Sequence, residues 1–209
     1  MLLESQSNSL PKIILNISAV IPKFFWVSGC FCFVIVLFFP YNLLAFEESY
    51  ESAVILAAKS GDSQAQYALA LLYEYGTDTI ARDPEQSIFW LEKSAKDGIA
   101  GACLYLGLKY EYGNRVKKDL SKAARCYACA AHKDWPAAQF FLAILYEKGK
   151  GVPQSSLNAL AWFGLAADYG YPGAEIKFSR LLSLSGDKDM KELRRIQENL
   201  LLNDGPPCD

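Results

Sequence analysis

The chain has 209 residues, 21 Lys and Arg against 23 Asp and Glu, a formal net charge of -2 and one histidine. That balance excludes a general binder of polyanions, because affinity for nucleic acid depends on concentrated Lys and Arg. A single histidine, His132, with no Ser or Cys set beside it by a recognisable motif, leaves acid–base or nucleophilic catalysis without a usable constellation.

The first 46 residues differ in composition from the rest. Phe24 to Phe39 is a run of 16 residues without a charge, preceded by Lys12 and Lys23 and closed by Pro40. As a helix it would be about 24 Å long, short of a hydrocarbon core of roughly 30 Å. This length suits the apolar region of a signal peptide, with cleavage expected after Ala45. Extended through Phe46 with Pro40 as a kink, the same segment could act as an uncleaved anchor. Both readings bring residues 1–46 to a membrane at least transiently. Both also leave Lys12 and Lys23 on the cytoplasmic side and send the acidic Glu47, Glu48 and Glu51 across. The expected location is therefore periplasmic or secreted, or anchored in the inner membrane with the rest of the chain outside the cytoplasm. Val27-Ser28-Gly29-Cys30 is similar to a bacterial lipoprotein box, but the strongly apolar Phe31 to Phe39 follows where a polar tether belongs.

From Glu48 onward, apolar residues recur at helical spacing and the runs end on Gly, which predicts an all-α region. Leu72-Tyr73-Glu74-Tyr75-Gly76, Lys109-Tyr110-Glu111-Tyr112-Gly113 and Leu145-Tyr146-Glu147-Lys148-Gly149 place the first tyrosine of each segment at intervals of 37 and 36 residues. A period of that size predicts stacked helical hairpins, an αα-superhelix, in place of one globular core. The units are 61–97, 98–133 and 134–169, with partial or capping units at 48–60 and 170–201 and a disordered tail at 202–209.

Each first helix carries a small residue eight before the tyrosine (Ala65, Ala102, Ala138), then Leu69, Leu106 and Leu142, then Ala70, Gly107 and Ala143. Small residues at fixed offsets let a neighbouring helix approach and leucines fill the seam. Each second helix shows Trp90, Cys126 or Trp162 at one position and closes on Ser94-Ala95, Ala130-Ala131 or Ala166-Ala167. The charged helix around Lys191, Arg194, Arg195 and Glu198 predicts a terminal cap with a polar outer face.

This pattern of spaced alanines, Leu-Gly or Leu-Ala, Tyr, Gly, then Trp and a closing Ala-Ala and Gly resembles the Sel1-like repeat, a relative of the tetratricopeptide repeat. The resemblance covers Glu48 to Leu182, about two-thirds of the chain. It implies a solenoid that binds a protein or peptide and acts as an adaptor, without cofactor or metal and without catalytic residues. Cys126 stands where tryptophan is usual, and Leu182 where the fourth tyrosine belongs.

Spacing selects the face that first helices would turn to a partner. Two and six residues before the tyrosine lie Leu71, Leu108 and Ile144, and Tyr67, Leu104 and Phe140, an apolar strip. Immediately after it come Glu74, Glu111 and Glu147, then Tyr75, Tyr112 and Lys148. A carboxylate in the last turn of a helix meets the negative end of the dipole at a cost of about 0.3 to 1 kcal/mol. Two explanations are open: a groove made to receive a basic segment, or inheritance by duplication with salt bridges to Lys or Arg of the next unit.

The remaining polar clusters have plainer readings. Arg115, Lys117, Lys118, Lys122 and Arg125 form a solvated loop and helix face, with no interleaved aromatics to stack bases. Cys103, Cys126, Cys129 and Cys208 show no regular disulfide framework, and Cys208 has no evident partner. Cys126, Cys129 and His132 have the spacing of a soft-metal trio, against buried small residues beside a helix-end histidine. The competing function is a beta-lactam-binding or hydrolysing enzyme resembling cysteine-rich exported repeat proteins. Those carry a cysteine pair in every unit, which only Cys103 and Cys129 echo here.

Overall fold

The computed structural model describes residues 50–202 and Cys208. The expected signal or anchor segment and most of the tail lie outside these residues. Among the described residues there are nine helices and no strands, and none of the helices is long and apolar enough to cross a membrane. They are α1 (50–60), α2 (Ser63–Tyr75), α3 (Pro84–Lys96), α4 (Ala100–Tyr112), α5 (Leu120–Ala131), α6 (Pro136–Lys148), α7 (Ser156–Asp168), α8 (Ala174–Leu182) and α9 (Asp187–Leu202). The all-α solenoid expected from the period is what the chain forms. α2 pairs with α3, α4 with α5 and α6 with α7, and each hairpin packs on the next.

Local chemistry sets the helix ends. Asp83, Asp119 and Ser155 cap α3, α5 and α7, each accepting from a backbone N–H of the first turn, a contribution of about 1 kcal/mol apiece. Gly113 and Gly149 close α4 and α6 at φ 73° and 63°, in the left-handed region. Gly151 (φ 74°) is required twice over. Its backbone is left-handed, and a Cβ there would fall 2.2 Å from the Leu120 carbonyl oxygen at the start of α5. The loop of the third unit thus rests directly on the second.

The small residues of the seam vary with their partners. In the second unit Tyr127 fills the place of Leu91 and Phe163, and a Cβ on Gly107 would sit 2.6 Å from its ring. The other two units have smaller or ringless partners to accommodate with Ala70 and Ala143. Trp90 and Trp162 are buried, which places both in the core.

One polar position also recurs. Gln66 and Gln139 are buried and donate from Nε2 to the carbonyls of Ala58 and Ala131, eight residues earlier, at 3.3 and 3.2 Å. Cys103 takes that position in the second unit. Because Ala58 belongs to α1 and Ala131 to α5, α1 occupies the register of a second helix. With Val54 and Ala58 in the core, it covers the N-terminal edge of the array.

The C-terminal pair departs from the pattern. α8 packs on α7, and α9 docks on α7 as well, where a hairpin partner would have aligned its backbone with α8. Phe178, Leu181 and Leu182 of α8 and Met190, Ile196 and Leu200 of α9 pack around a small cluster of Leu160, Ala161 and Leu193, and Phe178, Leu181 and Leu200 also pack on the main core.

The cysteines require a correction. Cys103 joins Cys129 across α4 and α5 of one unit, and Cys126 joins Cys208, 82 residues later in the chain. Cα separations of 6.2 and 4.5 Å lie within the range that disulfides span. Cys208, expected to be unpartnered, is bonded and buried. The suggested Cys126, Cys129 and His132 trio is divided between two disulfides, so its thiolates are not available to a metal. Cys103 and Cys129 are the two that echo the cysteine pair of the cysteine-rich repeat proteins, whereas nothing in the spacing pointed to Cys126 with Cys208, because the tail delivers that partner.

Candidate partner-binding face

The first helices α2, α4 and α6 present their last turns in a row. Tyr75 and Tyr112 are the exposed aromatic side chains of that row, at 66% and 70%, with Lys148 exposed at the matching place in α6. The apolar strip read from spacing is drawn into the packing. Leu104 is buried, and Tyr67, Leu108, Phe140 and Ile144 are half-buried against the core, with Leu71 half-buried beside them. Tyr67 of α2 lies over Gly101 of α4, where an added Cβ would be 2.6 Å from its ring. Phe140 is enclosed by Phe141, Phe163 and Tyr171, with ring centroids 4.9 to 6.1 Å away. These residues join one unit to the next; Tyr75 and Tyr112 reach outward.

All three glutamates have partners, each supplied differently. Glu74 accepts from Lys109 Nζ of the next first helix at 2.8 Å, with the lysine side chain 5% exposed. Glu111 accepts from the Tyr127 hydroxyl of its own hairpin at 2.6 Å. Glu147 takes Lys177 Nζ at 2.9 Å and also Arg180, both from α8. Burial alone would raise the carboxyl pKa of Glu74, but the hydrogen bond and charge of Lys109 override it and hold the group below its ordinary 4.5. Glu147 shows the same balance, with Lys177 and Arg180 holding it low against burial. Burial, then the bond to Glu111, pushes the Tyr127 phenol far up. Two of the three carboxylates therefore make salt bridges to the following unit, and their charge is matched from within the chain.

Tyr105 and Lys109 complete this surface and were not among the residues selected by spacing. The Tyr105 hydroxyl lies 3.2 Å from that of Tyr75, and its ring centroid is 6.1 Å from that of Tyr67. The three phenols thus bridge α2 and α4, and burial, followed by the bond to Tyr75, raises the Tyr105 pKa. Lys109 did carry a signal, since it replaces Leu72 and Leu145 at an otherwise apolar repeat position. Tyr105 stands against Ala68 and Phe141, a position too variable to attract notice.

The chemistry of the row is that of a docking surface: exposed aromatic rings with hydroxyls, on rigid helices, with the carboxylates already engaged. His132 is directed elsewhere, with Nδ1 3.2 Å from the Leu200 carbonyl oxygen and its ring edge-on to Trp162. Each of the four cysteines among the described residues is in a disulfide, so none offers a nucleophilic thiol. No group of three or more His, Cys, Asp or Glu among the described residues could hold a metal.

These hairpins define an αα-repeat solenoid of the tetratricopeptide-related kind. Residues 63–99, 100–134 and 136–171, just over half of the chain, match the Sel1 repeat, and the chain belongs to the Sel1 repeat family. It is similar to a Sel1 repeat protein from Oxalobacter formigenes of known crystal structure, with 32% identity and a TM-score of 0.59 over 62% of this chain and 96% of that one. Chitin synthase regulator SKT5 of Saccharomyces cerevisiae is 34% identical over 115 residues, 54% of this chain and 16% of that protein. The ERAD-associated E3 ubiquitin-protein ligase component HRD3B of Arabidopsis thaliana is 30% identical over 103 residues, 49% of this chain and 16% of that protein. The chain thus spans less than a fifth of the length of these two relatives.

Proposed function

We propose that this chain is a non-enzymatic scaffold that docks a protein or peptide on the row formed by α2, α4 and α6, with Tyr75 and Tyr112 as its outward anchors. The observation that carries this reading is their exposure: both rings project while the aromatic neighbours Tyr67 and Phe140 are spent on packing. Tyrosine supplies large contact area and a hydrogen bond at low entropic cost, which suits it to binding surfaces. The relatives agree with this reading, since a regulator of chitin synthase and a component of a ubiquitin ligase are by name proteins that act alongside others.

A photo-crosslinking amino acid placed at Tyr75 or Tyr112 should capture a defined partner, whereas the same residue at the exposed Phe89 of α3 should not. Capture from Phe89 alone would remove this assignment of the face.

The proposal includes export. The charge-flanked apolar run Phe24 to Phe39 supports it, and so do two disulfides, which persist in oxidising compartments. Mass spectrometry of the mature N-terminus should find Phe46 first; an intact Met1 would replace cleavage with anchoring.

A further inference from the structure

The C-terminal segment runs backwards along the row of second helices. Leu193 packs with Leu160 and Ala161 of α7, and Gln197 comes to Gly164, where a Cβ would lie 2.9 Å from its Nε2. Further on, the Leu200 carbonyl reaches His132 at the end of α5, and Cys208 closes on Cys126 within α5. Successive positions of the segment therefore contact first the third unit and then the second. Cys126 is the one second-helix residue that replaces the Trp of the other units, and Cys208 is buried there at 6% exposure.

The noncovalent hold on α9 is lighter than that on the hairpin helices. Leu193 is its one buried apolar residue among those whose side chains are described, while Met190, Ile196 and Leu200 are half-buried around the Leu160, Ala161 and Leu193 cluster and Leu200 alone of them also packs on the main core. Such an element can open without unmaking the hairpins beneath it.

We infer that the Cys126–Cys208 bond is a redox-operated clasp that holds α9 over α7 and α5, so that its reduction frees the C-terminal helix and uncovers the apolar surface of α7 around Leu160 and Ala161. A dithiol reductant supplies the chemistry. Its thiolate attacks one sulfur, the Cys126–Cys208 bond breaks, and its second thiol resolves the mixed disulfide. Two electrons and two protons pass to the protein, leaving thiols at Cys126 and Cys208 and a disulfide on the reductant. All four cysteines lie in the main core, but the Cys103–Cys129 bond joins two helices that are already packed as one hairpin, whereas Cys126–Cys208 ties the C-terminal segment to α5, and the hairpin bond outlasts the clasp. This device is independent of what the row of first helices binds.

Stepwise reduction of the purified full chain with dithiothreitol, followed by alkylation and peptide mapping, tests it together with amide hydrogen exchange. Oxidised protein should yield a Cys126–Cys208 linked peptide. As reductant rises, these two thiols should alkylate before Cys103 and Cys129, while amides of α9 exchange at least about tenfold faster and those of α4 to α6 are unchanged. Cys208→Ser should reproduce the exchange pattern without reductant. A free Cys208 in the oxidised protein, earlier alkylation of Cys103 and Cys129, or α9 exchange that is insensitive to both reduction and substitution would overturn the clasp.

Discussion

The three complete hairpins and the C-terminal pair answer the same periodic sequence in different ways. In the hairpins every helix buries three or more residues, whereas α8 buries only Ala174 and leaves Ile176 at 76% exposure. The difference lies in a few side chains. Glu175 stands where Gln66 and Gln139 donate to the preceding unit, and Leu182 replaces the tyrosine. An interior unit of a solenoid is stabilised from two sides and a terminal one from a single side. With its seam chemistry incomplete, the last unit does not close as a hairpin, and α9 takes its burial from α7.

Truncating leucines in the two regions should break this contrast if it is false. Leu142→Ala in the third hairpin should cost about 3 to 4 kcal/mol in denaturant unfolding, as a cavity in a packed core does. Leu193→Ala should leave the main transition nearly unchanged and mainly speed hydrogen exchange in α9. Equal losses from both would mean that the cap is as integral as the hairpins.

The glutamates sharpen the same comparison. Glu74→Gln strands Lys109 in a nearly closed site and should cost about 3 kcal/mol, the low end for breaking a buried pair. Glu147→Gln, at the junction with α8, should cost under about 1 kcal/mol, because Arg180 is 59% exposed and screened by water. Both carboxyls are held below 4.5 in the folded chain. Their stabilisation is therefore fully present above that pH and is lost as pH falls through the lowered values. Thermal melts between pH 7 and pH 3 should show Glu74→Gln losing less stability on acidification than the parent chain.

Gly107→Ala should destabilise by about 2 kcal/mol, since overpacking against the Tyr127 ring forces a shift in a filled seam. The same added methyl is native at Ala70, opposite Leu91, so in a Tyr127→Leu background Gly107→Ala should cost much less than in the parent chain, read as the coupling of a double-mutant cycle. The smallest effect belongs to Tyr112→Ala, within about 0.5 kcal/mol, as expected of an exposed side chain outside the packing. Weaker binding by this variant with unchanged melting would separate docking from architecture.

How far each feature could be read in advance depended on its range along the chain. Helix ends and pairing were open to reading because Gly113, Gly149, Asp83 and Asp119 act on their own turns, and because the alanine and leucine offsets repeat. Of the proposed face, Tyr75 and Tyr112 are outward, but Leu104 and Phe140 are taken up by contacts with neighbouring side chains that no single-helix spacing encodes. The glutamate partners follow the same rule. A salt bridge to the next unit could be foreseen as a type, while the choice of Lys109, Tyr127 or Lys177 depended on which side chain the stacking delivered.

By itself the amino-acid order determined an all-α repeat of the Sel1 kind, its unit count and the register of its seams, because a helical hairpin is specified by interactions a few residues apart. The reversal of α9 along the second helices and the joining of Cys126 to Cys208 across 82 residues were decided only in three dimensions. A contact between distant segments depends on where all the intervening helices place them, and that sum is not written at either end.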